Sequence, residues 1–148
     1  MKAIQIVEDS LVWEEVKLPK PKKDEVLIKI SATAINRADL AQRAGNYPPP
    51  EGETDILGLE CSGKIVKVGE NVSDERIGEE VCALLAGGGY AEYVCCPSIQ
   101  AIKTPTNLSL IESASLPEVF ATCWLNLFLE GNLTQGQNIL LHAGASGI

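Results

Sequence analysis

Aromatic residues make up only 5% of this sequence, and it contains a single histidine. That histidine, His142, stands at the end of a short apolar run and reads as a structural residue, so no general base is assigned to it. The five cysteines, at positions 61, 82, 95, 96 and 123, are odd in number, include one adjacent pair and contain no Cys-x-x-Cys. A disulfide framework or a structural zinc knot would show a different spacing. Reduced thiols in a cytoplasmic protein are therefore expected. No apolar run approaches the roughly 20 residues of a membrane helix. Glu8 and Asp9 interrupt the first apolar stretch, so no secretory signal is evident. Positive charge is also scarce, with 12 Lys and Arg against 20 Asp and Glu and a net charge of −8. A nucleic-acid face needs a basic patch, and the one lysine cluster (Lys17, Lys20, Lys22, Lys23) lies among Pro19 and Pro21 as a solvated loop.

What is present suits one domain with a core: 148 residues, 45% hydrophobic and 22% charged. Residues 2–7 and 11–16 read as two strands. In the stretch 25–35, Val26, Ile28, Ile30 and Ala32 alternate with Leu27, Lys29 and Ser31, which predicts a long strand with a buried face. Asn36 ends it, and a short helix is expected over 38–43. Pro48, Pro49 and Pro50 lack donors and fix φ, so 45–52 is a stiff exposed loop with Tyr47 near its start. Further strands are expected within 77–85 and over 90–95. Many short strands punctuated by glycine predict a compact, barrel-like β domain. After residue 110 the pattern turns helical. Ser109 is set as a cap, and 119–130 carries Val119, Phe120, Cys123, Trp124, Leu127 and Phe128 at helical spacing, a stripe expected to be core. Residues 138–142 read as a short strand running into the Gly/Ser-rich 143–148. That is the opening of a dinucleotide-binding βαβ unit whose helix and acidic residue are missing, so a truncated sequence is expected.

The stretch from Gly58 to Val72 organises the rest. Ile65, Val66 and Val68 supply β-branched bulk, and Gly63 and Gly69 permit a bend and a tight turn. Glu60 sits among them as a carboxylate that must be paired if buried, and it reads as a structural hydrogen-bond acceptor. A plain barrel strand with glycine corners accounts for the glycines equally well. The spacing Gly-x-Glu-x-x-Gly, five residues, Gly-x-x-Val resembles the signature of the medium-chain dehydrogenase/reductase superfamily. Asn36-Arg37-Ala38-Asp39, Tyr47, Gly88 to Val94, Leu116-Pro117-Glu118 and 142–148 follow in that family's order. Zinc-dependent members place a histidine where Leu59 stands and a cysteine where Asn36 stands, and they carry a four-cysteine zinc lobe that this chain lacks. The resemblance is thus to the zinc-independent, ζ-crystallin-like quinone oxidoreductases, with agreement nearest to the p53-inducible type.

The resemblance implies a mainly β fold with short helices: a GroES-like, partly open β-barrel over 1–115, then the first helix and strand of a truncated Rossmann domain over 116–148. It also implies an NADPH-dependent quinone reductase, with NADH left open and no zinc, acting on a small electrophile as a cytoplasmic homo-oligomer when whole. Neither nucleic acid nor membrane is an expected partner, and the 148 residues alone are expected to be inactive. Asn36, Tyr47, Thr122, Gly144, Ser146, Gly147 and Ile148 are the implied cofactor contacts, and Tyr47 is also the implied catalytic donor. A phenol with pKa near 10 keeps its proton at neutral pH and can donate to a reduced quinone oxygen. On the residues alone, Tyr47 packing its ring on proline is equally good. Asn36 as the cap of the helix behind it, and Thr122 bonding within its own helix, are the competing structural readings. Arg37 reads as a surface residue. An enoyl-thioester or other alkene reductase of the same superfamily is the alternative enzyme, and a structural or binding protein using the fold is the non-catalytic one.

Overall fold

The alternation of apolar and polar residues folds as predicted over the first two thirds of the chain. The computed structural model describes residues 1–8 and 10–146. Strands β1 (Lys2–Val7) and β2 (Ser10–Glu15) form an antiparallel ribbon. Strands β3 (Glu25–Ala32), β4 (Glu60–Val68), β5 (Glu80–Leu84), β6 (Tyr93–Pro97) and β7 (Ala101–Lys103) form a five-stranded sheet in the order β6-β3-β4-β5-β7. Each of its pairings is antiparallel. The ribbon meets the chain just before β6 through an Ala3–Ala91 bridge. The sheet curls over Val26 and Ile28 of β3, Cys61 and Ile65 of β4, Val81 and Ala83 of β5, and Val94 and Cys96 of β6. Full burial of an isoleucine such as Ile28 or Ile65 is worth about 1.5–3 kcal/mol. The result is a mainly β half-barrel with few short helices.

Burial decides where the strands begin and end. The long strand stops at Ala32, three residues short of the predicted stretch, and Ile35 is left 78% exposed. Gly63 lies inside β4, opposite Ile30, where the register with β3 shifts. A Cβ at Gly63 would stand 2.1 Å from the Lys29 carbonyl oxygen, so what this glycine provides is close approach of two backbones. Gly69 does start a tight turn, closed by Val72 N–H donating to its carbonyl at 3.0 Å.

The short helix is α1 (Arg37–Arg43), and Ser109 caps α2 (Leu110–Ser113) in a capping box with Glu112. Helix α3 (Pro117–Trp124) continues as a π-helix over Leu125–Glu130 and stops at Gly131. Two sequence expectations fail here. The apolar stripe is not core: Phe120 is 66% and Trp124 59% exposed, and the rings of Trp124 and Phe128 pack on each other at 4.7 Å. Residues 138–142 do not form a strand, and Leu140 is 80% exposed. A parallel strand requires a neighbour to share its ladder, and none of the described strands lies beside it.

Candidate functional site

The start of α1 and the entry to β4 are built as one unit. Asn36 is the N-cap of α1 and Asp39 the third helical residue, and each turns its side chain toward the other's backbone N–H in a capping-box arrangement. Asn36 N–H donates to Asp39 Oδ2 at 2.7 Å. An acid in a helix's first turn usually faces water, where it complements the macrodipole. Asp39 is instead 2% exposed, because two further donors come from other elements. The Tyr90 hydroxyl donates to Oδ2 at 3.0 Å, and Gly58 N–H donates to Oδ1 at 3.2 Å. Gly58 has φ +103, and a Cβ there would lie 2.6 Å from the Tyr90 backbone nitrogen. The first glycine of the signature is thereby explained by a left-handed backbone squeezed under Tyr90.

Glu60, two residues on, opens β4 and is 1% exposed. Its Oε1 accepts from Asn36 Nδ2 at 2.7 Å, and its Oε2 accepts from Glu118 N–H at 3.0 Å. Thr33 Oγ1 donates to its backbone carbonyl at 2.7 Å. A buried carboxylate with both oxygens bonded is the satisfied case. Glu118 is the second residue of α3, and Thr122 lies four residues further along the same helix. Burial first, then the charges of Glu60 and Asp39, raise the Glu118 pKa above its usual value, against a smaller lowering by Thr122. Burial, followed by the charge and hydrogen bond of Asp39, also pushes the Tyr90 phenol far above its normal range, which keeps it a donor.

The predicted residues therefore fall into separate groups. Asn36 and Thr122 are brought to one edge of the half-barrel, linked through Glu60 and Glu118. The Thr122 hydroxyl stands one turn from Glu118, whose pKa it lowers, while its carbonyl accepts from Asn126 Nδ2 at 2.8 Å. Asn36 is the cap, and it gives one of its two amide hydrogens to Glu60. Tyr47 stands 52% exposed on the proline loop. Gly144 and Ser146 lie in exposed turns, with Ser146 N–H donating to the Ala143 carbonyl at 2.8 Å. Gly147 and Ile148 lie outside the described residues. Asp39 and Tyr90 had no role in the sequence reading, although the Asn-x-x-Asp capping spacing marks the first of them. The position after Gly58 is Leu59, an 8% exposed apolar side chain, and no group of three ligating side chains occurs among the described residues. A hollow of about 390 Å³ lies elsewhere, over Ile56, Leu85 and Cys95, and contains none of the predicted site residues.

A curled antiparallel sheet of this order, with its polar cluster at the edge where α3 begins, is a GroES-like half-barrel. Residues 22–106 match the family described as the alcohol dehydrogenase GroES-like domain, and the chain belongs to that family. It is 34% identical over 131 residues to the human synaptic vesicle membrane protein VAT-1 homolog-like, covering 88% of this chain and 31% of that protein. The crystal structure of that human protein superposes with a TM-score of 0.88 at 32% identity, over 99% of this chain and 49% of that one. The CurK enoyl reductase superposes at 0.87 with 29% identity, over 99% and 48%. The quinone oxidoreductase of Coxiella burnetii superposes at 0.82 with 28% identity, over 97% and 48%. These neighbours belong to the medium-chain dehydrogenase/reductase superfamily. The chain spans about half the length of these solved relatives and about a third of the curated human one.

Proposed function

We propose that these residues form the substrate-side domain, over 1–115, and the start of the cofactor domain, over 116–148, of an NADPH-dependent quinone reductase. It is of the zinc-independent, ζ-crystallin-like kind, nearest to the p53-inducible type. The observation that carries this reading is the hold of buried Glu60 on Asn36 and on the first N–H of α3. It sets an amide and, one turn along α3, a hydroxyl at the same edge of the barrel. That donor set fits the carboxamide end of a nicotinamide: Asn36 Nδ2 keeps one hydrogen beyond the one Glu60 takes, and the Thr122 hydroxyl can donate or accept. Leu59 in the core offers no lone pair to a metal, which supports a metal-free site.

When bound, the cofactor supplies the hydride. The chain's own part is to position it and to meet the charge that develops on the acceptor oxygen. Tyr47 is the neutral donor for that oxygen, on a backbone stiffened by Pro48 to Pro50. Gly144, Ser146, Gly147 and Ile148 begin the loop whose backbone N–H groups hold the phosphates. The same reading makes the whole protein a cytoplasmic homo-oligomer acting on a quinone or similar small electrophile, with no nucleic-acid or membrane partner.

A second reading, an enoyl-thioester reductase, is supported by the likeness to the CurK enoyl reductase. Turnover of a quinone and of an enoyl thioester by the whole protein with NADPH separates the two. Faster quinone turnover is expected, faster thioester turnover selects the second reading, and no turnover of either points to a non-catalytic use of the fold.

A further inference from the structure

We infer that Glu60 is a positioning residue that sets the spacing between the two walls of the nicotinamide site, Asn36 on the barrel and Thr122 on α3. The inference rests on the proposed function above. Glu60 is rooted at the first position of β4, paired with Leu84 of β5, so its backbone is fixed by the sheet. Its carboxylate touches both walls. On the α3 side, Leu116 at the N-cap has no side-chain oxygen and Pro117 has no N–H, so Glu118 N–H is the first donor the helix offers. Glu60 does from another element what a cap residue does locally. On the barrel side it takes one of the two Asn36 amide hydrogens. Because only the nitrogen end of an amide can donate, the orientation of Asn36 is thereby decided.

With Asn36 oriented as it is, only a carboxylate satisfies both partners. Both partners are donors, so position 60 needs two acceptors pointing opposite ways. Glutamine has the same shape but one acceptor, so its NH₂ confronts Asn36 Nδ2 or Glu118 N–H unless the Asn36 amide flips, which takes its oxygen from the capping box with Asp39. Exchanging the polarity of the pair removes the conflict. With Asn36→Asp and Glu60→Gln together, the glutamine oxygen takes Glu118 N–H and its NH₂ donates to the aspartate. That exchange repairs the bridge without restoring the amide hydrogen that faces the cofactor.

The test is made on the whole protein with four versions: wild type, Glu60→Gln, Asn36→Asp and the double exchange. Denaturant midpoints and NADPH dissociation constants are measured for each. Either single change is expected to lower the midpoint and to weaken NADPH binding roughly tenfold, the worth of one hydrogen bond to a charged group. The double exchange is expected to recover the midpoint while NADPH binding stays weak. Failure of the double exchange to recover the midpoint would overturn the bridge. NADPH affinity unchanged in Glu60→Gln, with only the midpoint lowered, would overturn the positioning role. If Glu60→Gln does not fold, recovery of folded protein by the double exchange supports the bridge in its place. Absence of NADPH binding by wild type would sink the reductase reading together with the positioning role, and the midpoints would still decide the bridge.

Discussion

Replacing Asp39 is the severest test of the unit that joins α1 to β4, and the structure gives the order of effects. Asp39→Ala strands three donors: Gly58 N–H, which is buried, and the Asn36 N–H and Tyr90 hydroxyl, which are partly buried. An orphaned buried donor costs about 1–3 kcal/mol. The two partly buried ones regain some water, so the sum is about 2–4 kcal/mol. For a chain of this size each kcal/mol lowers the melting temperature by roughly 2–4 °C. Asp39→Asn keeps one acceptor. With that oxygen toward Asn36 and Tyr90, its NH₂ faces Gly58 N–H, a loss of about 1–3 kcal/mol. Tyr90→Phe deletes a single donor and leaves Asp39 two, a loss of about 1 kcal/mol. Urea unfolding of the whole protein should rank the midpoints as wild type, Tyr90→Phe, Asp39→Asn, Asp39→Ala, from highest to lowest. Spectrophotometric titration should show the Tyr90 phenol ionising at lower pH in Asp39→Asn, because the Asp39 charge helps hold it up. A Tyr90→Phe protein as unstable as Asp39→Ala, or a fully stable Asp39→Asn, would refute the three-donor account.

Gly63→Ala should abolish soluble folded protein or lower its stability by more than about 3 kcal/mol, beyond ordinary overpacking, since the new Cβ meets the Lys29 carbonyl oxygen at 2.1 Å; expression with circular dichroism reads this, and near wild-type stability would count against the close approach. Tyr47→Phe keeps the ring and removes only the donor. Quinone kcat should fall by up to ~10²–10³ with NADPH affinity little changed, and an unchanged kcat would leave Tyr47 a packing residue. Glu118 has a folded-state pKa raised above its ordinary 4.5, so the folded protein holds that proton more tightly and stability falls as pH rises from about 4.5 through the folded value. Relative to Glu118→Gln, the wild type should therefore gain stability on moving from neutral pH to pH near 4. A difference that does not vary with pH would show that the burial and the charges of Glu60 and Asp39 do not act on it.

The sheet was legible because alternation and glycine spacing are local. Val26, Ile28 and Ile30 announce the buried face of β3 without reference to any other strand. Ser109 with Glu112 announces the start of α2 in the same way. What failed depended on neighbours. The run 138–142 has strand composition, yet strand formation is a property of a ladder, and no partner is present among the described residues. Phe120, Trp124 and Phe128 have helical spacing, which identifies a face but not what covers it. The site was half legible for a related reason. Asn36 as a cap and Glu60 as an acceptor follow from residue type and position. That Asp39 turns inward follows from Tyr90, 51 residues away, and no local pattern carries that distance.

The three acids at this edge differ in a way that orders their roles. Asp39 accepts from three donors and Glu60 from two through its carboxylate, so each stays buried with its charge met by hydrogen bonds. Glu118 is less enclosed, and the Thr122 hydroxyl is the side-chain donor that lowers its pKa; burial and the two neighbouring charges outweigh it. Asp39 and Glu60 hold geometry between α1, β4 and α3, and their charges add to the burial that raises the proton affinity of Glu118. The charges of Glu60 and Asp39 disfavour an anionic group at this edge, and on the proposed function the neutral carboxamide of a nicotinamide is the group that lies there. The same proposal puts the phosphates away from these carboxylates, at the Gly/Ser-rich stretch that begins at Gly144.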